Sequence, residues 1–244
     1  MSGHSHARTI KHQKAITDKK RGQVFSKMTR LISVAVKEGG ANPKTNSKLR
    51  LAIEMAKSFN MPKDNIDRAV KRSTGELAAE KLEEVLFEAY GPGGITIIIE
   101  GITDNKNRAL GEIKQILNQN NGKLVGEGAV KWMFEKKGVI AIDCELQTED
   151  LKNKEKLELM AIEAGAEDIC WHNEVLDVYT KIGDLEKVKK SLEEKNIQAD
   201  SVSLDWVPKE EIRVDGKTKQ ACQKLFEALD ENETVQEIYS NLKS

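Results

Sequence analysis

The stretch that decides the fold is Asp168-Ile-Cys-Trp-His-Asn-Glu-Val-Leu-Asp-Val-Tyr-Thr180. Its apolar and β-branched residues fall into two short runs, near 168–171 and 175–179, with His172 at a turn, and this predicts two short strands. On the N-terminal side Leu157, Met160, Ala161 and Ala164 form one helical stripe, and the run 139–142 before it is strand-like. On the C-terminal side Leu185, Val188 and Leu192 mark a second helix, and residues 201–207 a further strand. The order is β-α-β-β-α-β, the ferredoxin-like arrangement.

The flanks of this unit spell the same order again. Ile95-Thr-Ile-Ile-Ile99, entered through Gly91-Pro92-Gly93-Gly94, predicts a buried strand. Leu110, Ile113 and Leu117 predict a helix over 108–120. Strands are expected near 123–126 and over 129–135, where Val130, Trp132 and Phe134 alternate with Ala129, Lys131 and Met133. After the interruption come a helix over 217–230 (Ala221, Leu225, Phe226, Leu229) and a strand over 234–239. The reading is a middle α/β domain, residues 79–136 and 208–244, split by an inserted α/β domain, residues 137–207.

Residues 1–78 read as a basic helical domain with a flexible N-terminal tail. Val24, Met28, Leu31, Ile32 and Ala35 fall at i, i+4, i+7, i+8 and i+11, one apolar stripe that Gly39-Gly40 closes. A second helix over about 47–59 buries Leu49, Ile53 and Ala56, and Pro62 opens a third over 62–72 with Ile66, Ala69 and Val70 inward. The expected fold class is therefore α+β: a three-helix bundle plus two ferredoxin-like domains, one inserted in the other.

The formal net charge of the 244 residues is −1, but its distribution is uneven. Residues 1–75 hold seventeen basic and five acidic side chains, a net of +12, and residues 76–244 a net of −13. Segregation on this scale predicts that the N-terminal third attracts polyanions and that the remainder is repelled by them. The first 21 residues are irregular and basic, the kind of tail that orders when it meets phosphate. No apolar run approaches the roughly 18–20 residues of a membrane span, and the N-terminus lacks the apolar segment of a secretory signal. A cytoplasmic location with no membrane partner is expected.

Enzyme chemistry finds little support. Cys144, Cys170 and Cys222 are far apart and odd in number, against both a disulfide framework and a CxxC zinc site, and read as reduced core thiols. His4, His6, His12 and His172 have no HExxH or comparable partner. The Gly91–Gly94 turn lacks the spacing of a phosphate cradle, and Asp104 to Arg108 reads as a helix cap. No catalytic residue, metal, cofactor or small-molecule substrate is expected. Aromatic residues are scarce, and Phe25, Phe59, Trp132, Phe134, Trp171 and Trp206 all coincide with core stripes or strand faces. Binding should therefore rest on backbone phosphates, with little base readout. The expected nucleic-acid contacts are Lys11, His12, Lys14, Lys19, Lys20, Arg21, Lys27, Arg30 and Arg50.

A series of motifs resembles the YebC/PmpR family, whose mitochondrial relatives are translational activators. They include Gly3-His4-Ser5, Thr9-Ile10-Lys11-His12, Lys20-Arg21-Gly22, Glu38-Gly39-Gly40, Leu49-Arg50-Leu51-Ala52-Ile53, Asn60-Met61-Pro62-Lys63-Asp64-Asn65-Ile66, Glu88-Ala-Tyr-Gly-Pro-Gly-Gly94 and Gly128-Ala129-Val130. The resemblance covers essentially the whole chain. One departure is His6-Ala7, where the family usually has Lys-Trp, so tail contacts made through that pair do not carry over. The resemblance implies a three-domain, cytoplasmic, non-enzymatic regulator of gene expression. Its partner would be promoter DNA, for a DNA-binding transcriptional regulator, or ribosomal RNA on the ribosome, for a translational activator.

Overall fold

The structure, a computed structural model, describes residues 18–74, 82–148 and 151–243, and the backbone alone of Asp18, Lys19 and Lys20. These residues fall into two compact units, 18–135 with 208–243, and 136–207.

The first unit begins with three helices, α1 (Asp18–Gly39), α2 (Ser47–Ser58) and α3 (Lys63–Thr74). The α1 stripe of Met28, Ile32, Ala35 and Val36 forms one core with Leu49, Ala52 and Ala56 of α2 and Ile66 and Ala69 of α3. Burying each of the larger side chains contributes about 1.5–3 kcal/mol. Helix α1 stops because Gly40 turns left-handed (φ +81°) and returns its N–H to the Val36 carbonyl at 2.8 Å. Asn46 then secures the connection. Its Oδ1 accepts from the Leu49 N–H at 3.0 Å and caps α2, while its Nδ2 donates to the carbonyls of Ala35 (2.7 Å) and Gly40 (2.8 Å). A Cβ on Gly39 would stand 2.6 Å from Asn46 Cγ, so this close approach requires glycine.

The same unit continues with β1 (Glu83–Tyr90), β2 (Thr96–Thr103), α4 (Lys106–Gln119) and β3 (Lys123–Val125). After the second unit the chain returns with α7 (Gly216–Asp230) and β8 (Val235–Ser240). The sheet order is β3-β1-β2-β8, with antiparallel neighbours throughout. Its core joins Ile95, Ile97 and Ile99 to Ile113 and Leu117 of α4 and to Cys222, Leu225, Phe226 and Leu229 of α7.

The strand expected over 129–135 does not form. Glu88 on β1, 2% exposed, accepts from the N–H groups of Gly128 (2.6 Å), Val130 (2.7 Å) and Lys131 (2.8 Å). Those bonds hold the chain in a turn that runs into a short 3₁₀ helix, Lys131–Met133, and β4 (Phe134–Asp143) starts only after it. Trp132 accordingly lies 66% exposed, not on a packed strand face, and its indole N–H donates to the Ala129 carbonyl at 3.1 Å. The third-strand position is taken instead by β1, which precedes β2 in the chain. The ferredoxin-like layout survives, with one strand supplied from the N-terminal side.

The second unit matches its expected order directly. Strand β4 leads to α5 (Lys154–Ala164), β5 (Asp168–His172), β6 (Val175–Thr180), α6 (Leu185–Glu194) and β7 (Ser201–Pro208), with sheet order β5-β6-β4-β7. Asn153 caps α5, and Gly165, left-handed at φ +102°, ends it. His172 and Asp177 are buried 3.6 Å apart. All three cysteines are free thiols, and burial pushes the Cys144 and Cys222 thiols above their ordinary range.

Candidate nucleic-acid interface

The helical bundle concentrates charge on a small body: residues 18–74 hold fourteen basic and five acidic side chains, a net of +9. Arg21, Lys37, Lys44, Lys57, Lys63, Arg68, Lys71 and Arg72 are exposed. Charged groups in this number, on a body three short helices wide, set up a positive field that water and salt screen only beyond about 8–10 Å.

The residues expected to contact nucleic acid divide three ways. Lys11, His12 and Lys14 lie outside the described residues, as do the side chains of Lys19 and Lys20, whose backbone opens α1. Arg21 is exposed one turn along, and Arg50 is half-buried on α2, where it donates to the Pro43 carbonyl at 3.3 Å.

Lys27 and Arg30 are directed elsewhere. Lys27 is buried, and its Nζ donates to the Asp230 carboxylate at 2.6 Å and to the Asp230 carbonyl at 2.8 Å. Arg30 pairs through Nη2 with Glu233 Oε2 at 2.8 Å, and its Nη1 donates to the Glu233 carbonyl. These contacts tie α1 to the end of α7 and the turn after it. A third tie is Lys48, held between Glu38 and Glu84 at 2.7 Å from each. Burial acts to lower the Lys48 pKa, but hydrogen bonds to the two carboxylates outweigh it and raise the ammonium above its ordinary value.

The geometry reveals a feature that the sequence reading did not single out. Between α1 and α3 runs a groove of about 420 Å³ lined by Phe25, Ser26, Thr29, Arg30, Met61, Asn65, Arg68, Ala69 and Arg72. Asn65, Arg68, Ala69 and Arg72 recur at i, i+3, i+4 and i+7, so they share one face of α3. That spacing was visible in the sequence, but the groove exists only where this face meets α1. Arg68 and Arg72 are exposed along the groove, whereas the Arg30 guanidinium is engaged by Glu233, and the planar fork of an arginine suits phosphate oxygens. A second cavity of about 530 Å³ is lined by Arg30, Arg108 and four carboxylates (Asp104, Glu112, Glu231, Glu233) with neutral neighbours. Its balance disfavours a polyanion. Among the described residues no group of three or more His, Cys, Asp or Glu is placed to hold a metal ion, and no helix is long and apolar enough to cross a membrane.

Fold and site together define a class: an α+β protein with a cationic three-helix head joined to two ferredoxin-like sheets. The chain belongs to the TACO1/YebC family. Residues 5–76 match the family's N-terminal domain and residues 82–242 its second and third domains. A "Probable transcriptional regulatory protein" of Halothermothrix orenii is 46% identical over 242 residues, covering 99% of this chain and 94% of the relative. A protein of the same description from Caldanaerobacter subterraneus subsp. tengcongensis is 44% identical over 243 residues, covering 100% and 98%. The crystal structure of a conserved hypothetical protein from Aquifex aeolicus superposes with a TM-score of 0.86 at 40% identity, over 96% of this chain and 95% of that one.

Proposed function

We propose that this protein is a cytoplasmic, non-enzymatic regulator of transcription that binds DNA through its helical head, chiefly by phosphate contacts. The observation that carries the reading is the pair of exposed arginines, Arg68 and Arg72, lining the α1/α3 groove in a bundle of net charge +9. The regulatory names of the relatives support the same direction. Lys27 and Arg30 are turned to Asp230 and Glu233, and the exposed Arg68 and Arg72 of α3 join the N-terminal tail, Arg21 and Arg50 as the phosphate contacts. Phosphate contacts position a protein on its polymer without reading bases, so the same head also suits ribosomal RNA. Translational activation at the ribosome is the second reading.

Crosslinking in cells followed by sequencing of the bound nucleic acid separates the two. Enrichment of promoter DNA is the expected result. Enrichment of ribosomal RNA transfers the activity to translation, and recovery of neither polymer overturns the reading.

A further inference from the structure

Resting on the reading of the α1/α3 groove as a nucleic-acid surface, we infer that the groove takes one unpaired nucleotide of a single-stranded segment. The base lies against Phe25, and the phosphate lies on Arg68 and Arg72.

The chemistry of the groove changes with depth. Its floor is apolar: Phe25 is half-buried, and Met61 and Ala69 are buried. Ser26, Thr29 and Asn65 line it as well, the Thr29 hydroxyl donating to the Phe25 carbonyl at 2.8 Å, and Arg68 and Arg72 stand exposed one helical turn apart. Met61 is held within the bundle core, but Phe25 is left only half-buried at the groove, and a surface built for phosphate alone has no use for that accessible ring. In a duplex the base faces are stacked inside, so phosphates reaching these arginines would leave this floor wet. An unpaired base presents its π-face, and stacking on an aromatic side chain is sequence-tolerant because every base has one. Size agrees: about 420 Å³ falls within the range of small-molecule sites and holds a nucleotide, not a double helix. Phe25 thus packs on the bundle core with one side and lines the groove with another. Arg30, fixed by Glu233 at 2.8 Å, lines the groove as well.

The test uses the intact protein with labelled single-stranded oligomers of about ten nucleotides, DNA and RNA, against duplexes of the same sequence at one salt concentration. The wild type binds the single strand more tightly than the duplex. Phe25→Leu keeps an apolar side chain for packing but removes the ring. It weakens single-strand binding about ten-fold and leaves duplex binding within about two-fold, and Phe25→Tyr restores the loss. Equal or tighter duplex binding, with Phe25→Leu neutral on the single strand, overturns the inference. If Phe25→Leu fails to fold, competition decides. A nucleoside monophosphate displaces the single strand better than inorganic phosphate if a base occupies the floor, and no better if phosphate alone is held. The double change Arg68→Glu with Arg72→Glu tests the underlying reading separately: if neither polymer loses affinity, the groove is no nucleic-acid surface at all.

Discussion

Replacing Glu88 by Gln preserves the shape of the side chain and removes the charge on which three backbone N–H groups converge. Those groups, on Gly128, Val130 and Lys131, approach to 2.6, 2.7 and 2.8 Å. Burial alone would raise the Glu88 pKa, but the three N–H donors, with the Lys131 charge, outweigh it and hold the carboxyl below its ordinary value. A Gln side chain offers one oxygen to three donors and turns its own NH₂ toward them. Hydrogen bonds to a charged acceptor contribute about 1.5–3 kcal/mol each. Losing one and weakening two costs about 3 kcal/mol, or roughly 6–12 °C in melting temperature for a chain of this size. Because the folded pKa is depressed, this stabilisation is fully present above the unfolded value of about 4.3. It is lost as the pH falls through the folded pKa. Wild type and Glu88→Gln therefore differ fully at neutral pH, and the difference shrinks as the pH falls from the unfolded value through the depressed folded one. Thermal melts across that range, with amide exchange at Gly128, Val130 and Lys131, measure both effects. A variant melting within about 1 °C of wild type at pH 7, with those amides equally protected, would refute the reasoning.

Two further changes probe the joints of the first unit. Asp230→Ala leaves the buried Lys27 ammonium with only the residue-230 carbonyl and lowers stability by about 2 kcal/mol, less than a fully buried pair would lose; an unmoved urea midpoint would show that the pair contributes nothing. Asn46→Ala removes the α2 cap and two bonds that hold the α1–α2 turn, at a cost of about 2–3 kcal/mol, and a loss below about 0.5 kcal/mol in the same titration would contradict that role.

Much of this architecture was legible because the packing signals are local. The stripe of Met28, Ile32 and Ala35, the turn at Gly39-Gly40 and the apolar alternation around Val175 to Tyr179 each specify an element within a dozen residues. Strand β1 escaped detection because Glu88 interrupts its apolar pattern, and the groups that satisfy that carboxylate lie 40 to 43 residues further on. The same contact misled the reading of 129–135, where Val130, Trp132 and Phe134 alternate like a strand but lie in a clamped turn. At the site, sequence displays the number of cations but not where they point. Lys27 and Arg30 meet acceptors 203 residues away, whereas Arg68 and Arg72, in a stretch where Asp64 and Asp67 offset part of the positive charge, line the groove.

The central claim is that the cationic head holds nucleic acid through its phosphates, and the affinity of the intact protein for DNA and RNA as a function of salt measures this directly. With about six phosphates neutralised, log K falls against log salt with a slope of roughly −4 to −5. A slope near zero, with binding retained at high salt, would contradict the account.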